Sequence, residues 1–369
     1  MSKPRNVVIV GAAAEQRSCA AQYRYDERLS LMDEKSSGLR LPARMLPFPS
    51  SISSQARATL ERLVDPDGMP INAMHRMPEP EDLDGWCRIK SAVDAQYGGS
   101  MKDMAGTVRA SVETARIGDA VVYIATPETA TTTTGVYLDL HGGALVFGGG
   151  DACRIGAQMQ ADLHGVRCYG VDYRTPPEHP YPAALDDTLA AYAHVLERHE
   201  PSNVVIGGRS AGGNLAVAVL LRAREEGLPM PAGLVLLSPE IDLTESGDSF
   251  EVNRLVDVML PLSLRSANLL YANGADLSHP YLSPLFGDLT GLPPTLLQSG
   301  TRDLFLSNTV RMHRALRKAG VSAELHVFEA MPHGGFLGGT PEDLDLSSEL
   351  VRFVQACLGS GRGFPPGSS

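Results

Sequence analysis

Ser210 lies in a glycine-rich stretch whose residue types could support nucleophilic chemistry. Gly208 and Gly212 flank it in a G-x-S-x-G pattern, between an apolar run and the stretch LAVAVLL. Glycine is used where the backbone takes a positive φ or where another group approaches it closely. A strand-to-helix turn of this kind holds the serine Oγ clear at the top of the sheet, which predicts a nucleophile. The alternative is a structural turn that carries a solvated serine.

A second glycine-rich motif follows an apolar strand and begins 69 residues before Ser210. It reads His-Gly-Gly-Ala, and His141 is its first residue. Bare glycines can point their N–H groups, here those of Gly142 and Gly143, at a developing alkoxide. The N–H group of Ala211 would be a third donor. The motif therefore predicts an oxyanion hole with His141 as a supporting residue, and the alternative is a flexible surface loop.

A carboxylate that could orient a catalytic base follows the next-to-last predicted strand. Asp303 comes directly after the apolar stretch TLLQSG, in a loop that precedes a helix. Its alternative role is helix capping, because an Asp at this point can accept from free N–H groups. Asp242 is a rival acid after the preceding strand. We favour Asp303, since a late acid between the serine and the histidine is the usual topology for a G-x-S-x-G nucleophile.

The candidate base is His333, one of ten histidines in the chain. It follows the last predicted strand in the loop EAMPHGGF, whereas His326 lies within that strand and His313 lies within a helix. We interpret the latter two as structural. The chain order Ser210, Asp303, His333 is that of an α/β-hydrolase triad and differs from the orders in chymotrypsin and subtilisin.

The elements that must position these residues alternate along most of the chain. Near-continuous apolar strands that alternate with amphipathic helices predict a parallel sheet covered on both faces. A strand hairpin between about 107 and 128 and the strand VYLDL open this sheet, and helical patterns precede it. Residues 240–293 are too long for a simple crossover, so we expect an inserted helix over the carboxyl edge. The later strands are predicted at 166–173, 203–208, 233–239, 294–300 and 323–329, with helices at 182–199 and 308–320.

Composition restricts the class of partner. With 369 residues, 43% hydrophobic and 20% charged, the chain has the make-up of an ordinary globular protein with a large core. Its net charge of −11 argues against nucleic acid or an anionic membrane as the main partner, because both require clustered Lys and Arg. No apolar run is long enough for a membrane span, so we expect no stable membrane insertion.

The cysteines and the first residues bear on the cellular compartment. Five cysteines are scattered without metal-ligand spacing, which favours reduced thiols in a cytoplasmic protein. Secretion is the alternative, because Lys3 and Arg5 precede a short apolar run with an Ala-rich end. We expect neither a metal nor a cofactor.

Taken together, these motifs resemble the hormone-sensitive lipase family of α/β-hydrolases, in its bacterial carboxylesterase branch. The resemblance extends from about Pro47 to the final helix and leaves residues 1–40 outside. It depends on His141-Gly142-Gly143 and on the stretches DYRTPPEHPYPAALDD (172–187), GGRSAGGNLA (207–216), 283–308 and 313–336.

The resemblance implies an α/β-hydrolase fold, with a mostly parallel central sheet flanked by helices and a helical cap. Residues 1–106 are then an N-terminal extension and cap segment, and 107–360 are the catalytic domain, to whose cap 240–293 contribute. Residues 361–369 are expected to be a disordered tail, because they are rich in Gly, Pro and Ser.

The implied activity is that of a serine carboxylesterase on short- to medium-chain esters, acting through a Ser-His-Asp triad and an acyl-enzyme. Lactonase or amidase activity on the same triad remains open, and a non-catalytic binding protein is the more distant alternative. We expect a small-molecule ester as the ligand and allow for a homodimer.

Two positions depart from the family pattern. Ala144 replaces the third glycine of the oxyanion motif, and Arg209 stands before the nucleophile where Asp or Thr is more common. Arg209 either tunes the site toward acidic substrates or pairs with a nearby carboxylate.

Overall fold

An eight-stranded sheet runs through the part of the chain that the computed structural model describes, which is residues 38–39, 44–132 and 134–359. The strand order is β1-β2-β4-β3-β5-β6-β7-β8. β1 pairs with β2, and β2 with β4, in antiparallel fashion, and all other pairs are parallel. The strands are β1 Ser111–Ile117, β2 Ala120–Thr126, β3 Val136–Leu140, β4 Arg167–Asp172, β5 Val204–Arg209, β6 Gly233–Leu237, β7 Thr295–Gly300 and β8 Ala323–Phe328.

The central strands are buried on both faces because helices cover the two sides of the sheet. Every residue of β3, β6 and β7 is buried, which explains their near-continuous apolar sequences. One side is covered by α4 (Ala183–Leu196), α5 (Ala211–Glu225) and α8 (Leu306–Lys318). The other side is covered by α3 (Asp151–His164) and α9 (Pro341–Gly359). The structure thus contains the mostly parallel, helix-flanked sheet that the sequence predicts.

Four further helices belong to the segments predicted as a cap. They are α1 (Ser54–Arg62), α2 (Leu83–Ala105), α6 (Ser249–Val252) and α7 (Arg265–Ala272). The 240–293 insertion contains α6, α7 and a single 3₁₀ turn, Pro284–Phe286, with irregular chain between them. Side chains from α2, α6 and α7 join an apolar cluster that contains residues following β3 and β7. No helix in the described ranges combines the length and the apolar character needed to cross a membrane.

Two units are distinguished, Met1–Met45 and Leu46–Ser369, and every element named above lies in the second. The predicted tail at 361–369 and nearly all of residues 1–40 lie outside the described residues. The assignment of 1–106 and 240–293 to a cap remains a prediction.

Candidate active site

The predicted glycine motif and the three predicted triad residues follow the carboxyl ends of parallel strands, while Gly208 lies within β5. The sheet reverses its order at β3, since β4 lies on one side of it and β5 on the other. Ligands of open α/β sheets bind in the crevice at such a switch point. The glycine motif follows β3, Ser210 follows β5, Asp303 follows β7 and His333 follows β8. The topology therefore brings distant parts of the chain to one edge.

Ser210 occupies a strained backbone conformation between β5 and α5. Its φ is 56° and its ψ is −121°, a region that residues with a side chain rarely adopt. Three backbone hydrogen bonds hold it: Ser210 N donates to Leu237 O at 2.9 Å, and Ser210 O accepts from Glu240 N at 3.1 Å and from Asn214 N at 3.2 Å. The serine is thus fixed at the tip of the turn, as the G-x-S-x-G pattern predicts.

The two flanking glycines are required by close backbone approach. A Cβ on Gly212 would lie 1.9 Å from the carbonyl oxygen of Leu140 on β3. A Cβ on Gly208 would lie 2.3 Å from the carbonyl carbon of Gly212 itself. Any larger residue at either position would push the start of α5 away from the sheet.

The structure brings Ser210, His333 and Asp303 into one hydrogen-bonded chain. Ser210 Oγ lies 3.0 Å from His333 Nε2, and His333 Nδ1 lies 3.0 Å from Asp303 Oδ1. Asp303 is fully buried and also accepts from Ser299 Oγ at 2.7 Å and from Phe305 N at 2.9 Å. With a proton on Nδ1, His333 has Nε2 free to accept the serine proton.

The carboxyl group of Asp303 is held in its ionised form. Burial by itself would raise its pKa, but the charge and hydrogen bond of His333, with the hydrogen bond of Ser299, lower the pKa below its usual value. A carboxylate that remains charged at neutral pH can orient the imidazole and stabilise its cation.

The rival candidates lie elsewhere. Asp242 is fully buried and accepts hydrogen bonds from Thr244, Ser246 and Arg311, and no histidine of the described residues is hydrogen-bonded to it. His326 lies on β8 with its Nε2 3.6 Å from a carboxylate oxygen of Glu324. His313 lies within α8, as expected.

The loop after β3 presents backbone donors beside the nucleophile. Within the described residues, no acceptor is bonded to the N–H groups of Gly142, Gly143 or Ala211. Gly143 has a φ of 127°, and a Cβ there would lie 2.2 Å from the carbonyl oxygen of Phe147. Ala144 adopts a φ of 53° and is buried, so the loop accommodates its methyl group.

His141 has a structural place in this loop. Its Nδ1 lies 2.8 Å from Gly142 O, and its ring stacks on Tyr173 with centroids 4.1 Å apart. Burial lowers its pKa, which favours the neutral imidazole. Tyr173 OH donates to His141 O at 2.7 Å. Tyr173 lies in the stretch 172–187 that carries the resemblance, but no motif in the sequence predicts a role for it.

Comparisons with known proteins identify the family and the fold of this chain. Residues 137–337, more than half of the chain, match a family model described as alpha/beta hydrolase fold. The chain is 34% identical to the crystal structure of an esterase named E25, with a TM-score of 0.81, over 86% of this chain and 98% of that one. A second esterase structure, described as from the bacterial hormone-sensitive lipase family, is 30% identical with a TM-score of 0.71, over 83% and 99%. The chain belongs to the hormone-sensitive lipase family of α/β-hydrolases.

Among curated proteins, this hydrolase is similar to an acetyl-hydrolase of Streptomyces hygroscopicus. The two are 37% identical over 198 residues, which are 53% of this chain and 66% of the relative. The match therefore spans just under two thirds of the relative's length. These similarities confirm the predicted family, fold and enzyme class.

In the described ranges, no three His, Cys, Asp or Glu side chains are grouped so as to hold a metal ion.

Proposed function

We propose that this hydrolase is a serine carboxylesterase. The observation that carries the proposal is the chain of two 3.0 Å contacts from Ser210 through His333 to Asp303, at the carboxyl edge of the sheet. The names of its relatives, esterase and acetyl-hydrolase, support an ester as the substrate.

In the proposed acylation step, Ser210 Oγ attacks the ester carbonyl carbon while His333 Nε2 takes its proton. Asp303 accepts from Nδ1 and stabilises the imidazolium that forms. The carbonyl oxygen becomes an oxyanion that accepts from the N–H groups of Gly142, Gly143 and Ala211. When the C–O bond breaks, the imidazolium returns its proton to the leaving alcohol.

Deacylation repeats these roles with water as the nucleophile. His333 takes a proton from a water molecule, and the resulting hydroxide attacks the acyl-enzyme carbonyl. The same N–H groups stabilise the second oxyanion. Collapse of that intermediate releases the carboxylic acid and returns the proton to Ser210 Oγ.

We further propose that α1, α2, α6, α7 and the 240–293 insertion form a cap that limits the acyl chain. The ring centroids of Phe305 and His333 lie 4.9 Å apart, so a buried apolar cluster packs beside the base. Phe305 belongs to an apolar cluster that also contains Phe147 of the oxyanion loop, Trp86 of α2, and Phe250 and Leu264 of the insertion. A cap that is held against the site by this cluster would limit the space for the acyl group, which favours short- to medium-chain esters.

The test uses p-nitrophenyl esters from acetate to palmitate, assayed below their micelle concentrations. Short and medium chains should give the highest kcat/KM, because each methylene gains about 0.8 kcal/mol only while there is apolar wall to bury it. Ser210→Ala should stay folded and lower kcat on the butyrate by at least about 10³-fold.

Two results would count against the proposal. A Ser210→Ala enzyme with a tenth of wild-type activity would refute the nucleophile, once contaminating esterase is excluded. A rise in kcat/KM that continues to palmitate would refute the closed acyl pocket.

Lactones and anilides in the same assay identify the enzyme as a lactonase or amidase if they are turned over faster than every ester.

A further inference from the structure

Asp257 is a buried carboxylate in the 240–293 insertion, and every hydrogen bond that it accepts from the described residues comes from a main-chain N–H group. Its side chain is fully buried. Oδ1 accepts from Met259 N at 2.9 Å and from Leu260 N at 3.0 Å, which closes the local turn. Oδ2 accepts from Leu304 N at 2.8 Å and from His333 N at 3.1 Å.

The last two donors belong to the catalytic loops. Leu304 directly follows Asp303, and His333 is the candidate base. Asp303 and His333 lie 30 positions apart in the chain and follow different strands. A single carboxylate therefore joins the main chains of the acid loop and the base loop at the point where their side chains meet.

The same turn holds the acid loop by a second side chain. Asn253 Nδ2 donates to Asp303 O at 2.7 Å, while Asp257 N donates to Asn253 O at 2.9 Å. On its other side the turn is anchored by Asn72 Nδ2, which donates to Met259 O at 2.9 Å. Asp257 is thus held in place independently of the two loops that it contacts.

We propose that Asp257 is a positioning residue for the triad, which sets the distance and angle between Asp303 and His333. The proposal rests on the proposed function of those two residues. Asp257 touches neither the substrate nor the reacting atoms, and it acts through the main chains of Leu304 and His333. A displacement of about 1 Å between catalytic groups can cost about 10²-fold in rate.

The charge state of Asp257 agrees with this role. Burial raises its pKa to about 6, and the nearby Asp303 carboxylate adds to the rise. At pH 8 the group is therefore ionised, and both oxygens can accept from N–H groups. In Asp257→Asn, the side-chain NH₂ group would face one of the two pairs of N–H donors and could not accept their hydrogen bonds.

The test compares Asp257→Asn with Asp242→Asn on p-nitrophenyl butyrate at pH 8. Asp242 is a matched control, because it is an equally buried carboxylate in the same insertion and makes no bond to the catalytic loops among the described residues. We expect Asp257→Asn to lower kcat by about 10- to 100-fold with KM within about threefold. Asp242→Asn should keep kcat within about threefold, even where its melting temperature falls.

A double-mutant cycle with Asp303→Asn separates positioning from general weakening of the fold. If Asp257 acts through the acid and the base, its substitution should cost less than about threefold in the Asp303→Asn background. An equal cost in both backgrounds, or an equal loss in Asp242→Asn, would overturn the proposal. So would an unchanged kcat in Asp257→Asn.

Asp257→Glu keeps the carboxylate and should retain a higher kcat than Asp257→Asn. If Asp257→Asn does not fold, Asp257→Glu replaces it in the cycle, where its loss of kcat should shrink in the same way. Failure of the proposed function is recognised separately. If the proposed function is wrong, Asp303→Asn should have wild-type kcat. If Asp303→Asn lowers kcat strongly and Asp257→Asn leaves kcat unchanged, only the positioning role of Asp257 is refuted.

Discussion

Arg209, the residue before Ser210, is influenced by the charges of several acidic side chains. Alternation along β5 places it on the same sheet face as Val205, which packs in the core beneath α9. Its Nη1 is buried without a hydrogen-bond partner among the described residues. Burial lowers its pKa, and the charges of Asp343, Asp303 and Asp139 oppose that effect. These surroundings favour a structural role for Arg209 over a role in tuning the substrate.

Arg209→Met should therefore lower stability and leave substrate preference unchanged. The variant keeps a long apolar side chain but removes the positive charge that compensates the three carboxylates. We expect the melting temperature to fall by at least about 3 °C, which corresponds to about 1 kcal/mol. The ratio of KM values for a hemisuccinate ester and a neutral ester of equal size should change by less than about twofold. A selective rise in KM for the hemisuccinate would instead establish charge tuning.

Helix α2 contacts two loops, one of which is the loop after β3 that carries the proposed oxyanion donors. Asp94 Oδ1 accepts from Gly148 N at 2.8 Å, and the ring of Trp86 lies 6.4 Å from that of Phe147. One turn before Asp94, Lys90 Nζ donates to Thr175 Oγ1 at 2.7 Å. The helix thus contacts the far end of the loop whose first glycines are the proposed oxyanion donors.

Asp94→Ala should loosen that loop and lower kcat by about tenfold. The expected loss is smaller than the 10²- to 10³-fold cost of removing an oxyanion donor, because the N–H groups remain but are held less firmly. Affinity for a boronic acid that mimics the tetrahedral intermediate should weaken in parallel. Asp84→Ala, an exposed position on the same helix, is the control and should change neither quantity. Wild-type kcat and boronate affinity in Asp94→Ala would show that the contact does not matter for catalysis.

These elements also show how far the sequence could be interpreted alone. The proximity of Ser210, Asp303 and His333 could be predicted because each follows an apolar strand, and parallel strands end at one edge. Asp94 and Asp257 could not be predicted, because each accepts from main-chain N–H groups and leaves no motif or periodicity. The irregular chain between α6 and α7 has no repeat that would place Asp257 near Asp303 and His333, which lie 46 and 76 positions further along the chain.

Several acidic side chains are buried in the interior of this protein, whose net charge is −11. Burial raises the pKa of Asp139 to about 7 and that of Glu240 to about 8, and Glu245 adds to the effect at Glu240. These groups bind a proton in the folded state at pH values where the unfolded chain has released it. They therefore contribute stability below about pH 4 that is lost as the pH rises through their folded pKa values.

Glu240→Gln should remove part of that pH dependence. Glutamine has the same shape and is neutral at every pH, so it avoids the cost of ionising a side chain that is only 1% exposed. We expect the melting temperature of the variant, relative to wild type, to rise by at least about 3 °C between pH 5.5 and 8.5. Glu349→Gln is the control. The hydrogen bond from Arg352 lowers the pKa of Glu349, so the effect of this substitution on stability should vary with pH only below about pH 4.5. A difference between Glu240→Gln and wild type that stays constant from pH 5.5 to 8.5 would mean that Glu240 is ionised in the folded protein throughout that range.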